Sequence, residues 1–328
     1  NELYFNLRLY HSVPHGSSLF AMSSRLPLKL GYILKGYTIS QVLGGGGFSL
    51  VYLASSELDR KPVVIKEYCP QDLVARQPDG AIAPNAPLAQ TPFRQGLDQF
   101  LQEAAALAKI RHPNVLSVTD CFHANSTAYM VMNHEAGRDL RWFLKQLTGN
   151  LDWDFLQQIF PKIGDGLWRM HQLGVIHLDV KPANILLRTS GEPLLLDFGA
   201  AKTIGDPDRF SSFQTVTHGF APPEQYLDGD LGPWTDIYAL AATMYNCITG
   251  APPPPALKRK EGASLGQLTV NYTGQYPYTL LKTVESSLAL DRHQRPEDLG
   301  TFLALAFGLQ TTPASPGAEP ALTGAAQP

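Results

Sequence analysis

The sequence predicts an α+β protein of two unequal lobes, a small strand-rich lobe with a single helix and a larger helical one. Three observations predict it. The chain has 328 residues, which at roughly 150 residues per domain means two domains or one large domain in two parts. Between Tyr37 and Asn133 it is written in short β-branched and aromatic runs. From Leu151 onward, apolar residues recur at helical spacing.

Composition excludes several classes. Hydrophobic residues make up 44% of the chain and aromatics 10%, enough to fill a core and too much for a disordered chain. Pro and Gly together are about 16%, below the roughly 25–30% of low-complexity sequence. With 26 basic and 29 acidic residues the formal charge is −3. No net positive field gathers nucleic acid or an anionic membrane, so any polyanion must be held locally. No apolar run reaches the ~18 residues of a spanning helix; Thr301–Leu309 is among the richest and is too short. Cys69, Cys121 and Cys247 are odd in number and far apart, which reads as three reduced thiols in a cytoplasmic protein.

Taken in order, residues 1–24 show scattered aromatics (Tyr4, Phe5, Tyr10, Phe20) without a period and without the pattern of a signal peptide, and Met22 is a candidate natural start. Strands are expected over Tyr37–Leu43, Leu50–Ser55, Pro62–Glu67, Val115–Cys121 and Thr127–Asn133. One helix interrupts them over Arg94–Ile110 and is stopped by His112-Pro113. Further on, Leu156, Ile159, Ile163, Leu167 and Met170 share one helical face, with Pro161 as a kink, and Ile237, Leu240, Ala241, Met244 and Ile248 share another. Residues 310–328 are rich in Ala, Pro, Thr and Gly and read as a disordered linker.

The chemistry-bearing residues lie between these elements. Gly44-Gly45-Gly46-Gly47-Phe48-Ser49 joins two strand-like runs; glycine lets backbone N–H groups approach a phosphate, although a flexible hairpin turn would account for four glycines as well. It is not a Walker loop, since no Gly-Lys-Ser/Thr follows. Lys66 ends the apolar strand Val63-Val64-Ile65. In the following helix, Glu103 falls on the same face as Phe100, Leu107 and Ile110. A carboxylate facing a core costs several kcal/mol unless paired, and Lys66 is the natural partner. Asp179, Lys181 and Asn184 put a base, a cation and a metal-capable amide within six residues, ahead of the apolar Ile185-Leu186-Leu187. Asp197 then sits at the tip of Leu194-Leu195-Leu196, a usual position for a magnesium ligand.

This ordered set resembles the eukaryotic-type Ser/Thr protein kinase family. The matching stretches are the Gly loop, Val63–Lys66, Glu103, His177–Asn184, Asp197-Phe198-Gly199, Pro222-Pro223-Glu224, Asp236 and Arg295. Gly219–Tyr226 looks most like the bacterial branch. The resemblance implies a bilobal protein-kinase-like fold over 28–309, with an antiparallel sheet lobe at 28–135, a helical lobe at 136–309, and an extension of undefined structure at 1–27. It implies an enzyme that uses ATP and Mg2+, with Mn2+ as a substitute, to phosphorylate Ser or Thr of a protein substrate, with no nucleic acid partner. Gly44, Gly45, Gly46, Gly47, Phe48 and Ser49 would cover the phosphates. Lys66 would hold the α- and β-phosphates while paired with Glu103. Asp179 would accept the substrate proton, Lys181 would contact the γ-phosphate, and Asn184 and Asp197 would hold the metal. Val51, Val64, Met132 and Leu186 would frame the adenine, the backbone of Asn133 and Glu135 would hydrogen-bond it, and Asp139 would lie near the ribose. Thr217 matches the family's structural Thr beside the catalytic Asp.

The departures matter too. Leu178 stands where many relatives have an Arg, Ala183 replaces a Glu that in some members binds basic substrate side chains, and Pro222 replaces an Ala. Glu103 follows Lys66 by 37 positions. The segment 67–99, Pro- and Ala-rich over Arg76–Pro92, reads as a solvated insertion or as a docking element for a regulatory partner. A pseudokinase and a small-molecule kinase are the competing readings. The five charged and amide positions argue against the first, and the long activation segment with a Glu224–Arg295 pair argues against the second.

Overall fold

A computed structural model describes residues 25–146, 150–197, 201–203, 216–227 and 229–309. The small lobe is a six-stranded antiparallel sheet, formed by β1 (Ile33–Leu34), β2 (Tyr37–Gly45), β3 (Ser49–Ser56) and β4 (Pro62–Tyr68), followed after an excursion by β7 (Val118–Ala124) and β8 (Thr127–Asn133). Their order across the sheet is β1-β2-β3-β4-β8-β7. The excursion carries a hairpin, β5 (Val74–Arg76) with β6 (Ile82–Pro84), and the long helix α1 (Gln90–Leu107). β4 alternates Val63 and Ile65 with Val64 and Lys66, so its two faces carry different chemistry.

α1 buries Phe93, Phe100, Ala104 and Leu107. Tyr68 at the end of β4 stacks on Phe93 and lies against Phe100, which places α1 on the face that also carries Lys66. The hairpin takes the other face, and there part of the expected solvated insertion is packed, while 77–79 and 85–88 stay exposed. Val74 and Ile82 are buried, and Arg76 pairs with Glu67, a carboxylate fully buried in β4. The Tyr52 hydroxyl donates to Glu67 Oε2 (2.6 Å) and the Tyr129 hydroxyl donates to Oε1. A buried carboxylate persists only with such partners, and these come from two other strands and the hairpin.

The larger lobe contains β9 (Gly137–Asp139), α2 (Leu140–Gln146), α3 (Trp153–Gln172), β10 (Val175–Ile176), β11 (Ile185–Arg188), β12 (Pro193–Leu195) and β13 (Lys202–Thr203). Helices α4 (Pro223–Tyr226), α5 (Pro233–Thr249), α6 (Ala256–Lys260), α7 (Leu268–Asn271), α8 (Tyr278–Ser287) and α9 (Leu299–Phe307) follow. α3 starts at Asp152, whose carboxylate accepts from the Phe155 N–H, and Pro161 lies within a helix that continues to Gln172. α5 starts with Pro233 at its first position, ends at Gly250 with φ +79, and is buried from Thr235 through Ile248.

Several boundaries differ from expectation: β2 runs on to Gly45, α1 ends at Leu107 rather than Ile110, and two starts are shifted by three or four residues. α1 begins at Gln90 rather than Arg94, because a single 3-10 turn at Pro87–Ala89 leads directly into it. The strand expected from Val115 begins at Val118. Val115 is extended, but it bridges to Leu195 of the larger lobe, with Leu116 N donating to Leu195 O (3.0 Å) and Leu195 N to Asn114 O (2.8 Å). The same backbone preference is used for lobe-to-lobe pairing. Phe198-Gly199 and the hydroxyls Ser211, Ser212 and Thr215 lie outside the described residues, as do 1–24 and 310–328.

Candidate active site

Lys66 from the sheet lobe and Asp197 beyond β12 meet across the junction, with Nζ 3.2 Å from Oδ1. Asp197 has φ +54, a left-handed conformation uncommon for a non-glycine residue and held only by strong surroundings. Glu103 approaches the same ammonium from α1. Its Oε1 is buried without a hydrogen-bond partner. Burial pushes its pKa up to about 8; the Lys66 charge pulls against this, and the Asp197 charge adds to it. Two carboxylates thus compete for one ammonium, and the hydrogen bond expected at Glu103 is made by Asp197.

This predicts a pH dependence. The folded pKa of Glu103 lies above its ordinary 4.5, so folding takes up a proton between these values. Its contribution is complete below about pH 4.5 and is lost as pH rises through about 8. Glu103→Gln, which cannot ionise, should lose less stability than the wild type between pH 5 and pH 9, as read from urea midpoints. Parallel curves for the two proteins would refute it.

The second cluster lies between β10 and β11. Lys181 Nζ donates to both Asp179 oxygens (2.9 and 2.7 Å) and to Thr217 Oγ1 (3.0 Å), and the Thr217 hydroxyl donates to Asp179 Oδ1 (2.7 Å). Asn184 Nδ2 donates to Asp179 Oδ2 (2.9 Å) and to its carbonyl (2.8 Å). With the amide nitrogen so occupied, Asn184 Oδ1 is left as the acceptor. The backbone of Asn184 also receives the Leu196 N–H (2.8 Å), which brings the Asn184 and Asp197 ends together.

A buried carboxylate sets the backbone of this loop. Asp236, at the start of α5, accepts the N–H groups of His177 and Leu178 (2.8 Å each) and the Nε2–H of His171 (2.8 Å). Burial alone would raise its pKa, but the hydrogen bond and charge of His171, with His177, hold it below the usual carboxylate range. Leu178 is thereby kept at φ +64, its side chain buried, while Gln225 Nε2 donates to its carbonyl (2.9 Å). His177 Nε2–H donates to Leu196 O (3.0 Å) and Nδ1 accepts from Asp179 N (3.3 Å), so both neighbours dictate one neutral tautomer. The His171–Asp236 contact was not legible in the sequence, where His171 is one more helix residue.

The remaining candidates line the junction. Gly45 pairs with Leu50, and a Cβ there would meet Ser49 O at 2.7 Å, so the tight return requires glycine. Gly44 has φ +151. Val51 faces Lys66 in register, and Val64 faces the buried Met132. Asn133 ends β8, and Asp139 pairs in register with Leu186. Asp139 caps α2 through Trp142 N (2.7 Å) and touches Arg141 (3.2 Å). Glu135 is held by Arg188 Nε (2.9 Å), whose Nη1 also reaches Pro113 O (3.0 Å). Arg188 therefore ties the connection between lobes to the loop after α1, a role that its position in an apolar strand does not disclose.

Comparison with known proteins agrees with this geometry. The protein kinase domain profile matches residues 37–297. The chain belongs to the protein kinase family. A solved structure described as the apo form of PpkA-294 superposes on the kinase domain with a TM-score of 0.75 and 34% identity, covering 85% of this chain and 99% of that one. Among curated relatives, the serine/threonine-protein kinase PknD of Mycobacterium tuberculosis is 31% identical over 71% of this chain and 32% of its own length. PknK of the same organism is 28% identical over 80% of this chain and 22% of its own. The chain thus spans a third or less of these relatives.

A buried charged pair in the helical lobe joins α4 to the segment before α9. Arg295 meets Glu224 in a two-pronged contact (2.6 and 3.1 Å), donates to the carbonyls of Ala289, Trp234 and Leu290, and lies over the Tyr238 ring.

Proposed function

We propose that the domain is a serine/threonine kinase that transfers the γ-phosphoryl group of magnesium ATP to a Ser or Thr hydroxyl of a protein substrate. The observation that carries the reading is the Asp179 cluster. A carboxylate held by Lys181, Thr217 and Asn184 has fixed orientation, and its oxygens are the acceptors an incoming hydroxyl requires. Lys181, beside it, neutralises charge on the phosphoryl group in flight. Lys66 holds the nucleotide phosphates, the loop at 44–49 covers them, and Met132, Val51, Val64 and Leu186 enclose the base, with the backbone of Asn133 and Glu135 binding it. Catalysis by such a site is mostly positioning and charge compensation.

The donor set also fits a magnesium ion. Asn184 Oδ1 and the Asp197 carboxylate are hard oxygen donors, and no group of three or more His, Cys, Asp or Glu among the described residues would hold a metal by itself. Magnesium usually takes one or two carboxylates and completes its shell with substrate phosphates and water. When bound, it supplies charge for the phosphates and cancels the Asp197 charge that opposes ionisation of Glu103. Calorimetry should show ATP binding that weakens with EDTA and weakens again in Lys66→Ala; equal affinity in all three would exclude the assignment. No helix among the described residues is long and apolar enough to cross a membrane.

Leu178 bears on control. It offers no donor or charge for a phosphate on the activation segment, in contrast to an Arg at that position. Dephosphorylated protein should therefore keep its activity within about tenfold, ~1.4 kcal/mol of barrier. Thr217→Ala should lose far more than Thr215→Ala, since the Thr217 hydroxyl touches Asp179 directly. Phosphatase treatment with mass spectrometry, followed by an activity assay, reads both; a larger drop would mean that another cation has replaced the missing Arg.

A further inference from the structure

Three successive carbonyls of the Gly-rich loop are held by donors from outside it. Arg25 Nη1 donates to Gly46 O, Gln71 N donates to Gly47 O (2.8 Å), and Cys69 N donates to Phe48 O (2.8 Å). The last two continue the β3–β4 pairing, which runs to Ser49 and Tyr68, past the end of the strand and along the loop tip. In a trans peptide the N–H points opposite to the C=O. With the Gly47 and Phe48 carbonyls turned toward residues 69–71, the N–H groups of Phe48 and Ser49 face the other way, into the loop, as binding of a phosphate oxygen requires.

The donors are themselves anchored. Residues 69–71 lead into the β5–β6 hairpin, whose Arg76 reaches buried Glu67, the neighbour of Lys66 on β4. Arg76 Nε also donates to Leu26 O, and Leu28 N donates to the Tyr52 hydroxyl (3.1 Å), which docks residues 25–28 on the same layer. Asn85 N to Leu73 O (2.9 Å) closes the base of the hairpin, and Ile82 N to Asn125 O (2.7 Å) ties it to the turn between β7 and β8. Arg25 makes this contact although its Nε and Nη2 are buried without a hydrogen-bond partner, which an apolar side chain would avoid.

We infer that the 69–85 segment and residues 25–28 form a brace that preorganises the Gly-rich loop, with Arg25 and the Gln71 N–H as its positioning contacts and ATP as the ligand it serves. A loop that is ordered beforehand does not have its ordering entropy subtracted from nucleotide affinity. The inference rests on the loop covering the nucleotide, as proposed above. It also assigns the segment after Lys66 an internal partner, the protein's own sheet, in place of an external one.

The test uses the full chain with Arg25→Met and Gln71→Pro, singly and together; each removes one loop contact at the edge of the lobe. ATP dissociation constants from calorimetry, kcat, thermal midpoints and amide hydrogen exchange over 44–49 are measured. The double variant should bind ATP roughly fivefold to tenfold more weakly and exchange faster at the loop, with kcat within about twofold and a thermal midpoint within about 2 °C of wild type. Arg25→Lys, which can still donate to Gly46 O, should restore its share of the affinity. Unchanged ATP affinity in the double variant overturns the brace. So does a parallel fall in affinity, kcat and midpoint, which marks a merely structural role. Failure of the wild type to bind ATP would instead refute the kinase reading, so the two failures are distinct.

Discussion

Asp179→Asn should lower phosphoryl transfer by roughly 10²-fold or more, the usual size of a lost general base, while ATP affinity changes little. Asparagine keeps the shape of aspartate, but it has one acceptor oxygen where the carboxylate has two, and no charge. In the present geometry Lys181, Thr217 and Asn184 all donate to the Asp179 carboxylate. With an amide there, either a donor faces a donor or one partner is left unsatisfied, so orientation is lost together with basicity. Lys66→Ala should behave differently, weakening ATP binding and turnover together, because Lys66 lies at the phosphate end of the site. Initial rates against ATP concentration separate the two variants. An Asp179→Asn protein with near wild-type turnover contradicts the role given to this residue.

Arg295→Met should remove about 3–5 kcal/mol of stability, the loss expected when one partner of a buried ion pair is deleted. The Arg295 side chain is 0% exposed and Glu224 10% exposed, so Glu224 would be left without its guanidinium partner in a place water barely reaches. Three carbonyls, of Ala289, Trp234 and Leu290, would lose a donor at the same time. Glu224→Gln should cost less, since an amide oxygen still accepts from the guanidinium. Urea denaturation of the three proteins measures this directly. A loss below about 1 kcal/mol for Arg295→Met would place the pair among surface ion pairs of small consequence.

What could be read from the sequence, and what could not, follows physical lines. β4 and β8 were legible because alternation and continuous apolar runs are local signals, and the order of short motifs from Gly44 to Arg295 pointed to the family. The pairs Asp179–Thr217 and Glu224–Arg295 were expected from that resemblance and are in contact. The β5–β6 hairpin was not legible. Strands of three residues have no measurable period, and its anchor, Arg76, sits in a stretch whose Pro and Ala content resembles a solvated loop. Glu67 carried a faint signal, a carboxylate inside an apolar strand, but its partners Tyr52, Tyr129 and Arg76 are brought together only by the sheet. Lys66 shows a different limit. Spacing identified Glu103 as a partner, yet two carboxylates reach one ammonium, and which of them makes the hydrogen bond depends on distances that helical spacing does not contain.

Phosphoamino-acid analysis tests the central claim most directly. The full chain is incubated with γ-labelled ATP, magnesium and a generic protein substrate, and the labelled protein is hydrolysed and resolved into its phosphoamino acids. Label in phosphoserine or phosphothreonine, dependent on magnesium and absent with Asp179→Asn, is the predicted result. Label in phosphotyrosine alone, label that persists in Asp179→Asn, or no transfer to protein from an ATP-bound wild type would contradict it.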